Sequence, residues 1–492
     1  MSAALQRPAQ RAGAPLSILA GAVLLRLVSG VGFVNYDTLY ALAWGGQLSR
    51  GQPPAYSVAL APTPHPLLEL LGVVLAPLGP HAAESITVAL GFLALSACGW
   101  VIYRLGSEWF SRAAGLLAAL IFLTRVPVLS YAVRAYVDVP YVLLVLGALL
   151  LESQRRRAGV PVLVLLALAG LLRPEAWAFS GLYWLYASEW RPAFLTARAG
   201  HTRFQRPNRS RREVALLALL AAAAPLVWVL SDLLITGHPL WSLTNTRHTA
   251  TTLGRVKGIA DVPEYIPRRI GEILRPPVLA GAALGGALAL LWLRSRALLG
   301  AAAGVLAAVV FAFFAALGLP IDTRYAFLVA AVLCVFAGAG VFGWINLART
   351  DSRRRWWMAG GALVLVALAA YAPAQYRGAQ RELDKLARQQ SVEADLLALV
   401  DNHAINLSCG PVGVPNHAPI PLLALYLETS PRNVVSLQVG HVASGVYVDP
   451  ASRAVERDYV LDPRDPVKAV SVPPGFTETR ANHSWLIFHR CS

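Results

Sequence analysis

Gly32-Phe33-Val34-Asn35-Tyr36-Asp37-Thr38-Leu39-Tyr40 closes the first long apolar segment of the chain and opens a polar, proline-rich loop. An acid at the mouth of a membrane helix is costly to place, and such residues usually mark a substrate or ion path. Asp37 therefore reads as a functional carboxylate, with a helix-capping role as its plain alternative. Segment 14–33 before it has the length of a spanning helix, roughly 20 residues. No small-x-small cleavage site follows that segment, so it is expected to stay as an anchor.

Composition agrees. The chain has 492 residues, 56% of them hydrophobic and 14% charged, with a mean hydropathy of +0.53. Soluble domains carry about 25% charged residues. The expected fold class is an all-α polytopic membrane bundle. Further spans are expected near 83–104, 112–130, 137–152, 158–172, 175–190, 213–235, 277–294, 297–317, 323–345 and 356–372, about eleven in total. Residues 66–78 are apolar but short and flanked by prolines, as in an interfacial or re-entrant helix. Within 158–190 the run Leu172-Arg173-Pro174-Glu175 breaks what would be an over-long helix into a hairpin.

The net charge is +16, and arginine supplies nearly all of the positive charge. Arginines lie in short loops between apolar runs: Arg7 and Arg11, Arg104 and Arg112, Arg155 to Arg157, the stretch 191–212, Arg294 and Arg296, and Arg349 with Arg353 to Arg355. That is the positive-inside pattern and not a nucleic-acid surface. The threading puts the N-terminus inside and the C-terminus outside. Loops 34–82, 125–137 and 236–276 are then extracytoplasmic, in a multi-pass protein of the cytoplasmic membrane. The loop 236–276, with Arg247, His248, Arg255 and Lys257, is expected to be a mobile cover over the site.

Composition changes after residue 372, so a membrane domain 1–372 and an extracytoplasmic α/β domain 373–492 are expected. Residues 378–400 read as an amphipathic helix, and 433–437, 458–461 and 485–488 as strands. Cys409 and Cys491 bracket that region, and an oxidising compartment would pair them. Cys98 and Cys334 sit in apolar runs as packing residues.

The expected outer loops bring together Asp37 and His65, Arg134 and Asp138, Arg173 and Glu175, and Asp322, Arg324 and Tyr325. This set resembles the GT-C superfamily of membrane glycosyltransferases, in its protein O-mannosyltransferase and lipid A aminoarabinose transferase branch. Asn35-Tyr36-Asp37 matches the acid that the family places just after its first span. Asp138 matches the second acid, Arg173 a basic residue at a helix break, and Arg324-Tyr325 a basic position before a late span. The sequence departs at Thr38, where many mannosyltransferases carry a second acid.

The resemblance implies a donor carried on polyprenyl phosphate and a lipid, glycan or protein acceptor. Asp37 would be the catalytic base, with Asp138 as the second catalytic acid. Arg134, Arg173, Arg324, Tyr325, His65 and Glu175 would bind donor phosphate or substrate. The chemistry is consistent. A carboxylate can take the acceptor proton, and guanidinium forks suit a leaving phosphate. No dense metal motif is present; a divalent cation shared by Asp37, Asp138 and His65 stays open as an alternative. Two other function classes also stay open: a flippase for lipid-linked sugars, and a non-catalytic envelope scaffold.

The threading is testable. Cysteine introduced at Gly51 or at Ser492 is expected to react with an impermeant reagent in intact cells. Cysteine at Arg156, Asn208 or Arg354 is expected to stay unlabelled, and labelling at 208 would overturn the assigned sides.

Overall fold

The computed structural model describes residues 6–188, 210–460 and 471–491. Most of the basic stretch 191–212 lies outside the described residues, as does Ser492. The chain starts with α1 (Gln6–Ser29), α2 (Tyr36–Ser49), α3 (Pro66–Leu75) and α4 (Pro80–Trp109). Next come α5 (Arg112–Leu123), α6 (Val126–Val133), α7 (Asp138–Gln154), α8 (Val160–Leu172) and α9 (Glu175–Ala187). Beyond residue 209 follow α10 (Arg211–Thr236), α11 (Trp241–Thr252), α12 (Val262–Trp292), α13 (Arg294–Ala316), α14 (Phe327–Phe342) and α15 (Ser352–Asp401).

This is a multi-pass membrane protein. Among the described residues, six helical stretches are long and apolar enough to cross a membrane, and seven if the bent pair α5–α6 counts as one span. Large apolar side chains on α1, α10 and α15, such as Leu27, Leu234 and Leu363, face outward. They find no aqueous solvent in a bilayer and cost nothing there.

The helices pack through small residues, as expected where lipid offers no hydrophobic drive between spans. α14 is the central helix and is buried along nearly its whole length. Its contact with α12 is so close that a Cβ on Gly285 would stand 2.0 Å from the Phe336 carbonyl oxygen. α2 and α3 meet the same way at Gly45 and Gly72.

Two breaks shape the end that carries the charged residues. The segment read as one span at 112–130 bends by 63° between α5 and α6. α12 is kinked at Arg275, whose φ is 64°, just before Pro276 and Pro277. Proline removes the amide that would close the turn and clashes with the carbonyl four residues back. Arg125 repairs both breaks: its Nε donates to the Ile121 carbonyl at 2.9 Å and its Nη1 to the Leu274 carbonyl at 3.3 Å. A cation there also meets the negative ends of two helix segments.

The 236–276 connection, expected as a mobile cover, is largely helical: α11 fills much of it and α12 begins at Val262. α11 is clamped to the first loop, with Thr63 and Thr246 hydroxyls 2.5 Å apart. Residues 456–460 form a π-helical turn, not a strand; alternation of apolar residues over so short a run does not separate the two.

The amphipathic helix expected at 378–400 is the far end of α15, which runs unbroken through Pro373 as 50 residues. Beyond it lie α16 (Ile420–Tyr426) and a five-stranded sheet built from β1 (Val412–Val414), β2 (Val434–Ser436), β3 (Gly445–Pro450), β4 (Thr477–Ala481) and β5 (Trp485–Arg490). The order is β2-β1-β3-β5-β4; β1 is parallel to β2 and β3, and β5 is antiparallel to β3 and β4. One core joins this sheet to the membrane part. Leu39, Tyr40, Leu42 and Trp44 of α2 share it with Leu396, Leu423, Val446 and Trp485.

Cys409 and Cys491 are disulfide-bonded, closing a separation of 82 residues. Cys409→Ser/Cys491→Ser is expected to lower the stability of the tail by about 2–4 kcal/mol. Two separately alkylated thiols in unreduced peptides would refute the pairing.

Candidate active site

Asp37 is placed by a cap and a staple. Asn35 is the N-cap of α2, and its Oδ1 accepts from the Asp37 and Thr38 amides at 2.9 and 3.3 Å. A carboxylate in the first turn of a helix also meets the positive end of its dipole. The rest of the Asn35 side chain reaches across to the loop before α7: Nδ2 donates to the Arg134 carbonyl at 2.9 Å. The fully buried Thr38 hydroxyl donates to the carbonyl of Ala135 at 2.9 Å. Thr38, the departure from the mannosyltransferase pattern, thus joins the Asp37 loop to the Asp138 loop.

Asp138 begins α7 and is 1% exposed. Arg173 comes from the break between α8 and α9. A residue before proline is driven out of helical geometry, and Arg173 is extended at φ −150°, with Glu175 opening α9. Its Nη1 bonds Asp138 Oδ1, while Nη2 and Nε reach Glu175 at 2.5 and 3.2 Å. The Tyr325 ring lies 4.1 Å from the guanidinium carbon, a stacked cation–π contact.

Arg324 sits in a 3-10 turn, Thr323–Ala326, ahead of α14. Its Nη1 donates to Asp37 Oδ2 at 2.7 Å and lies 3.8 Å from Asp138 Oδ2; its Nε is 4.0 Å from Asp322. The part of α12 before the kink braces that turn. Arg269 Nε donates to the Ile321 carbonyl at 3.0 Å and the Thr323 hydroxyl to Glu272 at 2.9 Å.

Four distant parts of the chain therefore converge on one network of two guanidinium groups and the carboxylates of Asp37, Asp138, Glu175 and Asp322. Burial alone would raise the Asp37 carboxyl. The charge and hydrogen bond of Arg324 outweigh it and hold the group below its usual range. His65, at the start of α3, belongs to the same neighbourhood. Burial pushes its ring down to about 4, so it is neutral, and the charges of Asp37, Arg173 and Arg324 all reach it.

Arg134 stays apart. It is tied back to Ser130 at 2.9 and 3.0 Å and lies 5.0 Å from the rings of both Tyr131 and Tyr136. Asp138 takes Arg173 as its partner instead. Among the described residues no cluster of acids, histidines or cysteines is arranged to hold a metal. The Asp37–Asp138–His65 set is interleaved with Arg173 and Arg324.

Several contributors are not singled out by sequence. Tyr141 and Tyr136 face the guanidiniums at 5.5 and 5.6 Å, and Glu272 with Arg269 forms the brace. Aromatic residues in apolar runs give no signal beyond packing. Asn35 did carry one, as an N-cap type directly before a helix.

Next to the network lies a small cleft. Tyr141, Arg173, Glu175 and Tyr325 form its polar end, and Phe179, Phe311 and Leu328 contribute apolar wall.

Solved structures share this arrangement of helices. The structure of ArnT from Cupriavidus metallidurans bound to undecaprenyl phosphate superposes with a TM-score of 0.56 at 14% identity, covering 97% of this chain and 98% of that one. This is the GT-C fold. The apo structure of the same ArnT gives a TM-score of 0.52 over the same shares. The arabinofuranosyltransferase AftD from mycobacteria gives 0.54 at 16% identity, with 98% of this chain matching 40% of that protein. No family model matches the sequence, and no characterised protein matches it by sequence alone.

The staple is expected to be structural. Thr38→Val keeps shape but leaves the buried Ala135 carbonyl without its donor, and should cost about 1–3 kcal/mol in thermal unfolding. The exposed Thr244→Val serves as control. Equal shifts for the two would show that the staple holds nothing.

Proposed function

We propose that this chain is a membrane glycosyltransferase that moves a sugar from a polyprenyl-phosphate-linked donor to an extracytoplasmic acceptor, with inversion and with Asp37 as base. The observation that carries the reading is the convergence of Asp37, Asp138, Arg173 and Arg324 in one buried network, of which Arg173 also lines an apolar-walled cleft. A lipid phosphate needs both features: cations for its head and an apolar path for its chain. The ArnT structure of the same fold was solved with undecaprenyl phosphate, which supports that donor class.

Under this proposal the shorter α1, α7, α8 and α9 would cross the membrane along with the six long helices and the bent pair, for about eleven spans. In this reading the charged network lies on the outer side of the cytoplasmic membrane, and residues 373–492 cap it. A flippase is less well supported, because the charges gather at helix mouths, whereas transport sites lie near the bilayer midplane.

The chemistry follows from the network. The acceptor oxygen attacks the anomeric carbon, Asp37 takes its proton, and the bond to the phosphate oxygen breaks. Phosphate gains charge as it leaves, and fixed guanidiniums stabilise it. At rest both arginines are engaged by carboxylates. An arriving phosphate must compete for them, and when Arg324 turns towards it Asp37 loses the partner that depresses its basicity. The donor thereby unmasks the base.

The first test is release of polyprenyl phosphate when purified protein meets a panel of polyprenyl-phosphate sugars. Asp37→Asn keeps the shape but cannot accept a proton, and turnover should fall roughly 10²–10⁴-fold. Donor affinity should hold or rise, because Arg324 is released from a charged partner. Near wild-type transfer would move the base elsewhere, with Asp138 the next candidate.

The unmasking has its own signature. The free enzyme holds Asp37 below the ordinary carboxylate range, so it is deprotonated above that pH and lost only as pH falls further. The acid limb of kcat/KM should therefore lie at lower pH than the limb of kcat, which reports the donor-bound enzyme. Coincident limbs would argue against the exchange.

A further inference from the structure

His65 is a neutral member of the expected phosphate-binding set, and it holds an open valence. The residue is 8% exposed, and its Nδ1 is buried with no hydrogen-bond partner. The Leu172 carbonyl lies within hydrogen-bonding reach of the ring. A carbonyl only accepts, and with the ring's single proton assigned to Nε2 to serve it, the unpartnered Nδ1 keeps a lone pair. Pro64 and Pro66 flank the residue and fix its backbone.

Trp228 stands beside it, with ring centroids 6.3 Å apart, and the Trp228 Nε1–H is also buried without an acceptor. An acceptor and a donor are thus left open on neighbouring rings. Leaving buried polar atoms unpaired costs free energy, so native proteins supply a partner. A lone pair repels phosphate oxygen. A hydroxyl, which both donates and accepts, suits the pair.

Resting on the lipid-linked donor reading, we propose that His65 Nδ1 accepts a hydrogen bond from a hydroxyl of the donor's sugar ring, with Trp228 Nε1 donating to a sugar oxygen. His65 is then a specificity residue for the sugar and not a holder of phosphate. The sugar is bonded directly to the phosphate that Arg173 and Arg324 would hold, which brings its hydroxyls to this side of the network.

The test compares two lipids of equal charge: an undecaprenyl-phosphate sugar, taken as the tightest binder of a pentose and hexose panel, and undecaprenyl methyl phosphate, a diester without a sugar. The wild type is expected to prefer the sugar lipid by roughly tenfold or more, the value of one buried hydrogen bond. His65→Ala should erase that preference and leave methyl-phosphate affinity within about twofold. His65→Asn, whose carboxamide oxygen falls near Nδ1, should keep most of the preference. His65→Gln, which reaches towards Nε2 instead, should not.

Equal weakening of both lipids by His65→Ala would make His65 a phosphate contact and overturn the proposal. An unchanged preference in His65→Ala would leave only water at Nδ1 and overturn it as well. If His65→Ala does not fold, the contrast between the Asn and Gln variants decides. A wild type that binds both lipids equally sinks the subsite while the donor reading stands; one that binds neither sinks both.

Discussion

Two guanidinium groups hold the structure of the charged end together. Arg173 bonds Asp138 and Glu175, and Arg324 bonds Asp37 and approaches Asp138 and Asp322. An isolated carboxylate as buried as Asp138 would be driven to neutrality, and breaking a buried pair by removing one partner strands a charge. The buried carboxylates and the two arginines therefore depend on one another. The set ties α2, α7, the α8–α9 break and the turn before α14 to one another, across 287 residues in the case of Arg324 and Asp37.

This dependence links stability to chemistry. A carboxylate already paired with arginine is a weak base, and an arginine already paired with carboxylate is a reluctant phosphate ligand. In the proposed reaction a phosphate entering the network would relieve both conditions at once, and resting order and catalytic readiness would be alternative uses of the same side chains.

The tail is part of the same construction. Tyr426 donates to Glu84, the Gly32 amide donates to Gln390 on α15 at 3.2 Å, and Gln47 reaches Ser430 at 3.3 Å. The His417 ring lies 5.5 Å from Tyr36, the neighbour of Asp37. The buried face of α2 packs in the core of the sheet domain while its first turn carries Asp37. A scaffold whose working part was the tail alone would not need this shared core.

The sequence by itself determined the membrane class, the run of apolar segments and the helix break at Arg173-Pro174-Glu175. Each follows from local physics: apolar length against bilayer thickness, and proline's missing amide. It also marked Asp37, Asp138, Arg173 and Arg324, because charge beside an apolar segment is costly enough to be conspicuous. Only the tertiary structure decided how they pair. Asp138 lies four residues from Arg134, yet its partner is Arg173, because Arg134 is drawn back to Ser130. Nothing local distinguishes those outcomes. The bend between α5 and α6, the folded 236–276 segment and the π-helical turn at 456–460 were hidden for the same reason. Hydropathy measures how much surface can be buried, while partners contributed by distant helices settle where the chain turns and which polar atoms are left open.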